Sequence, residues 1–494
     1  MSIYSLPPEI LTRILHYSSP VEQPTLLRVS HAFHEIAISL VFSSVKIYFV
    51  GGREAFSMLN TDHEDFKDDI TTKLMTRSFE LLRQMIMDPS FARIVRSITV
   101  ITASDSESTF ECLLLGDAIM SLPSLRTLRW LGVDPCFTDT IAESLPKDLE
   151  RLTLKTYVPS TNLFGRFHSI AHLELPTPFY FPDDEEIHDD TGASSALLDV
   201  TAAIDFEAIT STMALGNLQS LTLNAVYLPT LPIKILETLK ELDICITTVL
   251  QGVGLDLILR HAVVLESLTV FGYVDQAIFE WLACGSSDLP SLHSFRLSCD
   301  RFTMMQPIEG HNLELFLSFL RDRVRLRRLY LRIPSLDWSA LTALAPEIRN
   351  LKALEVIGLH TGETIVDDWF IPFLRGTLPA KLKALYLGID WNGLNFLPLA
   401  KLTVLDRQID ALNELHELAF VHLYGIRSRL PLTLQDFSPA KNVKLLGLNR
   451  ALWDVVRGGT EVDFELRKWP RWKIKYCTEE DFEDEDYYWL FKYN

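Results

Sequence analysis

Leu326-Arg327-Arg328-Leu329-Tyr330-Leu331-Arg332 is the stretch that decides the architecture. Its apolar residues stand at 326, 329 and 331, so Leu329 and Leu331 share one face of an extended strand while Arg328, Tyr330 and Arg332 share the other. The same spacing returns along most of the chain. Clear copies are Leu125-Leu128-Trp130, Leu149-Leu152-Leu154, Ile170-Leu173-Leu175, Leu218-Leu221-Leu223, Leu239-Leu242-Ile244 and Leu265-Leu268-Val270. Further copies are Leu292-Phe295-Leu297, Leu354-Ile357-Leu359, Leu382-Leu385-Leu387 and Leu415-Leu418-Phe420, with weaker ones at Val95-Ile98-Val100 and Val443-Leu446-Leu448. Between copies the apolar period switches to that of helices, as in Asn312 to Arg323 and Ser339 to Ile348. Strand and helix alternate, and each unit leaves an apolar face that only a neighbouring unit can cover.

The pattern resembles a leucine-rich repeat, which implies an α/β solenoid, a horseshoe with parallel strands inside and helices outside. A doubly wound sheet would need fewer and longer strands. Residues standing between the strand leucines line the inner face. Of these, Arg296, Arg328, Tyr330, Arg332, His360 and Tyr386 form the candidate substrate-binding patch, because arginine forks beside aromatics suit carboxylate or phosphate groups on an extended segment. The run Arg321, Arg323, Arg325, Arg327, Arg328 and Arg332 makes this the densest basic cluster of an acidic chain.

A second pattern stands at the other end. Leu6-Pro7-Pro8-Glu9-Ile10-Leu11 opens an amphipathic helix with Ile14 and Leu15 on its stripe, and Val29-Ser30-His31-Ala32-Phe33 leads into another with Ile36 and Leu40. This helical hairpin resembles an F-box, with Phe33 where that family most often has Trp. The resemblance implies docking on the small Skp adaptor through Leu6, Pro7, Ile10, Leu11, Ile14, Leu15, Val29 and Phe33. It further implies a substrate-recognition subunit of a Skp/cullin/F-box ubiquitin ligase, joined to cullin through the adaptor and holding a protein target on the repeats. A scaffold without ligase function is the alternative. The expected domains are a helical F-box at 1–48, a helical linker or cap at 49–92, the irregular solenoid at 93–450 and a capping tail at 451–494.

Composition narrows the partners. With 46 Lys and Arg against 65 Asp and Glu, the net charge of −19 opposes contact with nucleic acid or an anionic membrane, so protein partners are expected. Six scattered cysteines show no ligand spacing, so no metal site is expected. The opening residues carry no basic-then-apolar leader, no apolar run reaches a membrane span, and no Asn-x-Ser/Thr sequon occurs, from which a cytoplasmic or nuclear location is expected. Phosphate-cradling and nucleophile-elbow motifs are absent, and His416-Glu417 lacks the second histidine of a zinc-protease helix. His360 and Glu363 near Asp367 and Asp368 form a weak acid/base constellation. No enzyme activity and no cofactor are expected.

Two acidic stretches interrupt the repeats. The Asp183-Asp184-Glu185-Glu186 segment with Asp189-Asp190 reads as a solvated insertion. Glu479 to Asp486 is followed by Tyr487, Tyr488, Trp489, Phe491 and Tyr493, too aromatic for a solubilising tail. This tail is expected to fold back and partly cover the basic inner face.

Overall fold

The computed structural model describes residues 8–16, 23–51, 67–104, 109–132, 134–156, 161–177, 215–247, 254–285, 288–299, 308, 310–321, 323–333, 336, 338–361, 370–389, 410–425, 442–457 and 464–493. Leu6, Pro7, the acidic insertion at 183–190 and the Glu363, Asp367 and Asp368 constellation lie outside the described residues. Two compact units are present, the first running to Ser220 and including Arg471–Tyr488, the second comprising Leu221–Pro470 and the chain from Trp489 on.

The first unit opens with α1 (Pro8–His16), α2 (Gln23–Leu26) and α3 (His31–Val41). Proline at the first turn of α1 sacrifices no helical hydrogen bond. Ser30 caps α3, its Oγ accepting from the Phe33 amide at 3.3 Å. Leu11, Leu15 and Phe33 form a buried cluster on which Leu26, Ile36 and Leu40 pack. The hairpin thus has a core of its own.

Five parallel strands follow: β1 (Ser44–Gly51), β2 (Ser97–Ser104), β3 (Thr127–Leu131), β4 (Arg151–Lys155) and β5 (His172–Glu174), each paired with the next. The strand β1 was not expected, since residues 44–51 straddle the boundary drawn at 48 and carry a simple alternation rather than the repeat triplet. Its outer edge would leave amides unpaired. The long helix Lys67–Met87 covers it, with Ser78 Oγ accepting from the Tyr48 amide at 2.8 Å.

In the second unit, β6 (Ser220–Asn224) neighbours β7 (Glu241–Ile246), and β8 (Ser267–Gly272), β9 (Ser294–Cys299), β10 (Arg328–Arg332), β11 (Val356–Thr361), β12 (Ala384–Ile389), β13 (Phe420–Gly425) and β14 (Leu445–Leu448) continue in parallel. The tail region starts as β15 (Ala451–Arg457) and β16 (Phe464–Lys468), both antiparallel, ending the ladder with a charged, largely exposed strand. Leucines stack on the helix side: Phe295 of β9 meets Phe319 of helix Gly310–Arg321 at 4.8 Å between ring centroids.

One repeat shifts from its expected place. Leu385 and Leu387 are in register with Val421 and Leu423, so the true copy is Leu418-Val421-Leu423 and not Leu415-Leu418-Phe420. Both triplets satisfy the spacing, and pairing with β12 selects the second. On the polar side, register aligns Asp243, Thr269, Arg296, Tyr330, Gly358, Tyr386 and His422 across seven successive strands. Gly358 is the point where the Tyr330 ring lies against the next strand's backbone, and a Cβ there would overlap that ring. Gly358→Ala should therefore lower unfolding free energy by about 1–3 kcal/mol. Gly376→Ala, in a helix and with nothing within 4 Å of an added Cβ, should leave it unchanged or raise it slightly in the same denaturant titration.

Candidate functional site

The hairpin divides its eight expected docking residues unequally. Leu11, Leu15 and Phe33 are buried in the hairpin's own core, so they do not form the surplus surface expected of them. The reason is size: three short helices have few other apolar side chains to pack. Ile10 is 42% exposed and Val29 52% exposed, so among the described docking residues these two present apolar surface outward. Ile14 lies on α1, and Leu6 and Pro7 fall outside the described residues.

The arginine run is likewise divided. Arg321 pairs with Glu347 at 3.0 Å, Arg327 pairs with Glu355 at 3.0 Å, and Arg323 donates to the carbonyls of Gly285 and Leu289 at 2.7 and 3.0 Å. Only Arg328 and Arg332 stay with Tyr330 on the polar face of β10, as alternation requires. Arg296, His360 and Tyr386 join them from β9, β11 and β12. The structure thus brings these six residues onto one face. It does not leave that face open: Arg296 is 1% and Tyr330 0% exposed, and His360 and Tyr386 are also buried.

The cover is the chain itself. Trp489 to Tyr493, the end of helix Glu485–Phe491 and the residues after it, lies on this face. Lys492 Nζ and Tyr493 OH both donate to Asp243 Oδ2 at 2.6 Å. The Tyr493 ring stacks on Phe271 at 4.5 Å, and Phe491 stacks on His422 at 5.7 Å. Arg296 donates to the Trp489 carbonyl and places its guanidinium 3.9 Å above the Tyr330 ring and 4.8 Å from the Trp489 ring. The expected return of the aromatic tail to this face is what the structure has. What fills the face is a lysine among aromatics, in place of the acidic ligand expected.

Electrostatics follow from that burial. For Asp243 desolvation works against ionisation, but the Lys492 charge and the hydrogen bonds from Lys492, Tyr493 and Thr269 outweigh it and hold the carboxyl below its ordinary value. Burial lowers the Arg296 guanidinium from its usual range and raises the Tyr386 phenol well above its own. Burial, helped by Arg332 and Arg296, drives His360 well below the ordinary histidine value, and Tyr330 OH lies 2.7 Å from its Nε2. Burial brings His422 down to about 4, only partly opposed by its bond to the Asn449 carbonyl.

Sequence reasoning missed His422 and Tyr424 because the repeat at β13 was placed three residues early. In the corrected register both alternate with the leucines and reach the polar face. Asp243 was placed on that face without a role, since its partner lies 249 residues away.

The first unit has a second occupied face. Arg129 donates to Glu479 and Glu480, each at 2.8 Å, and to Ser97 Oγ at 3.1 Å, and Arg151 and Lys46 pair with Glu479 and Asp481. Trp472 meets Tyr48 edge to face at 5.6 Å. Thr478 and Asp481 form a reciprocal capping box that fixes the acidic turn. No group of three or more metal-ligating side chains occurs among the described residues, and no described helix is long and apolar enough to cross a membrane.

These helices and their caps coincide with a match to the F-box domain family over residues 3–44. Residues 3–44 are an F-box domain. The F-box is followed by leucine-rich repeats, read directly from the strand register above. No curated protein matches the chain. Among solved structures, the yeast Rad7 and Elc1 complex is similar at 15% identity and a TM-score of 0.39, over 79% of this chain and 94% of that one. A TLR13–ssRNA13 complex is similar at 15% identity and a TM-score of 0.28, over 75% of this chain. The chain spans about half of that protein, 53% of its length. A Bacteroides fragilis protein gives 11% identity and a TM-score of 0.28, over 63% of this chain and 69% of that one.

A pH dependence follows from the buried histidines. A folded value depressed below the unfolded one means the unfolded chain binds more protons between the two, so stability is full above about pH 6.5 and is lost as pH falls toward 4. For His422 the loss between pH 7 and pH 5 is about 2 kcal/mol, with His360 acting in the same direction. Denaturant titrations at both pH values should show a clearly smaller drop for His422→Gln than for the wild type.

Proposed function

We propose that this chain is the substrate-recognition subunit of a Skp/cullin/F-box ubiquitin ligase. The F-box would dock the Skp adaptor and, through it, cullin, while the repeats hold a target protein, in the cytoplasm or nucleus. The chain performs no chemistry of its own in this reading. It raises the effective concentration of a target lysine near a ubiquitin-charged enzyme held by the rest of the complex.

The observation that carries the reading is the F-box match over residues 3–44 together with a hairpin that packs its own core yet presents Ile10 and Val29 to solvent. Exposed apolar side chains on a rigid, already folded support suit a docking anchor, because little ordering remains to be done on binding. Buried Leu11 is a poor probe of docking, since a charge there would unfold the hairpin.

Copurification from cells tests the proposal. Ile10→Asp and Val29→Asp should each reduce recovered Skp adaptor by at least about tenfold while shifting unfolding free energy by no more than about 0.5 kcal/mol, as is usual for exposed positions. Undiminished recovery in both variants would remove the adaptor role. Recovery of the adaptor without cullin would favour a scaffold.

A further inference from the structure

The segment Trp489–Tyr493 rests on the polar face of the second unit as a peptide ligand rests on a receptor. It is helical up to Phe491 and is not among the strands of the ladder, and its side chains and the Trp489 carbonyl make the contacts that hold it there. Asp243 is a buried carboxylate on a face that also carries Arg296, Tyr330, His360, Tyr386 and His422, and it meets the one cation of the segment. Phe271 and His422 each take an aromatic ring in parallel stacking, on either side of the Arg296 contact to the Trp489 carbonyl. Charge, ring and main chain are each met by a separate group.

The fit is incomplete in one respect. Arg296 Nη1, His360 Nδ1 and His422 Nδ1 are buried and have no hydrogen-bond partner. A surface evolved only to bury this segment has no need of such spare capacity, because an unmet buried donor opposes burial. A ligand that supplied one more acceptor beside Arg296 would bind the same face better.

We propose that this face is a peptide-recognition site whose resident Trp489–Tyr493 segment is a self-ligand, and that the target carries a segment of the same chemistry. That chemistry is an aromatic residue whose carbonyl meets Arg296, then a lysine for Asp243 flanked by aromatic rings, with an additional carboxylate or carbonyl for Arg296 Nη1. The inference deepens the reading of the repeats as the target-holding part and rests on it. It is independent of the Skp adaptor, so the two can fail separately.

The probe is a fluorescent peptide spanning residues 485–494, titrated by anisotropy into the wild-type chain and into a chain stopped after Tyr488. The stopped chain should bind it at least about tenfold more tightly than the wild type, whose own segment competes at high effective concentration. A peptide with Lys492→Ala should bind the stopped chain about tenfold more weakly, and that difference should vanish when the chain carries Asp243→Asn. Should the stopped chain fail to fold, the full-length Lys492→Ala, Tyr493→Ala double variant replaces it and should take up the wild-type peptide more tightly than the wild-type chain does. Equal binding by wild-type and weakened chains overturns the proposal, as does a lysine dependence that survives Asp243→Asn. Loss of Skp adaptor binding with this pattern intact would overturn only the ligase assignment.

Discussion

A parallel ladder commits both edges of every interior strand to its neighbours and one face of each to the helices behind it. What remains is the polar face, and there the chain has placed large and charged side chains at register-matched positions. Arg296 stands between Thr269 and Tyr330, and Tyr386 stands beside His422. Such groups cannot be desolvated without partners, because an isolated buried charge costs several kcal/mol. The last part of the chain supplies them. In the second unit Lys492 meets Asp243 and the Trp489 carbonyl meets Arg296. In the first, Glu479 and Glu480 meet Arg129. An acidic, aromatic end of the chain is what these two polar faces require.

The strand triplet was legible because it is a local constraint repeated in every unit. Leucine at the fixed spacing must face the helices wherever the unit occurs, so the register of β2 to β12 could be read from sequence. It failed at β13, where Leu415, Leu418, Phe420, Val421 and Leu423 offer two triplets of equal spacing and only the neighbouring strand chooses. It also failed at β1, which follows the helical hairpin directly and has no leucine triplet to mark it. The antiparallel close at β15 and β16 rests on pairing that no periodicity encodes.

The candidate site was half legible for the same reason. Alternation placed Arg328, Tyr330 and Arg332 together, while Arg321, Arg323 and Arg327 are taken up by Glu347, the Gly285 and Leu289 carbonyls and Glu355. Occupancy was harder to read. That Glu479 to Asp486 and the aromatics after it should seek a basic, aromatic face follows from charge and composition. The division of labour does not. The acidic turn sits on Lys46, Arg129 and Arg151, while the aromatic end sits on Arg296 and Asp243. A lysine 249 residues from its carboxylate leaves no trace in a local pattern.

The hairpin and the polar face present their side chains by opposite arrangements. In the F-box, burying Leu11, Leu15 and Phe33 fixes a support on which Ile10 and Val29 remain exposed, so an adaptor docking there, as proposed, would meet a surface that is already formed. On the face centred at Arg296 the surface is formed but filled. A segment tethered to its own site competes at an effective concentration of order millimolar, so a free ligand must exceed it in fit and not merely equal it. The unmet Nη1 of Arg296 is where such an excess can arise, since one added acceptor satisfies a donor that the resident segment leaves desolvated. On the proposed reading, selectivity at this face would lie in that difference between guest and resident, and a weak imitation of Trp489–Tyr493 would be excluded by the original.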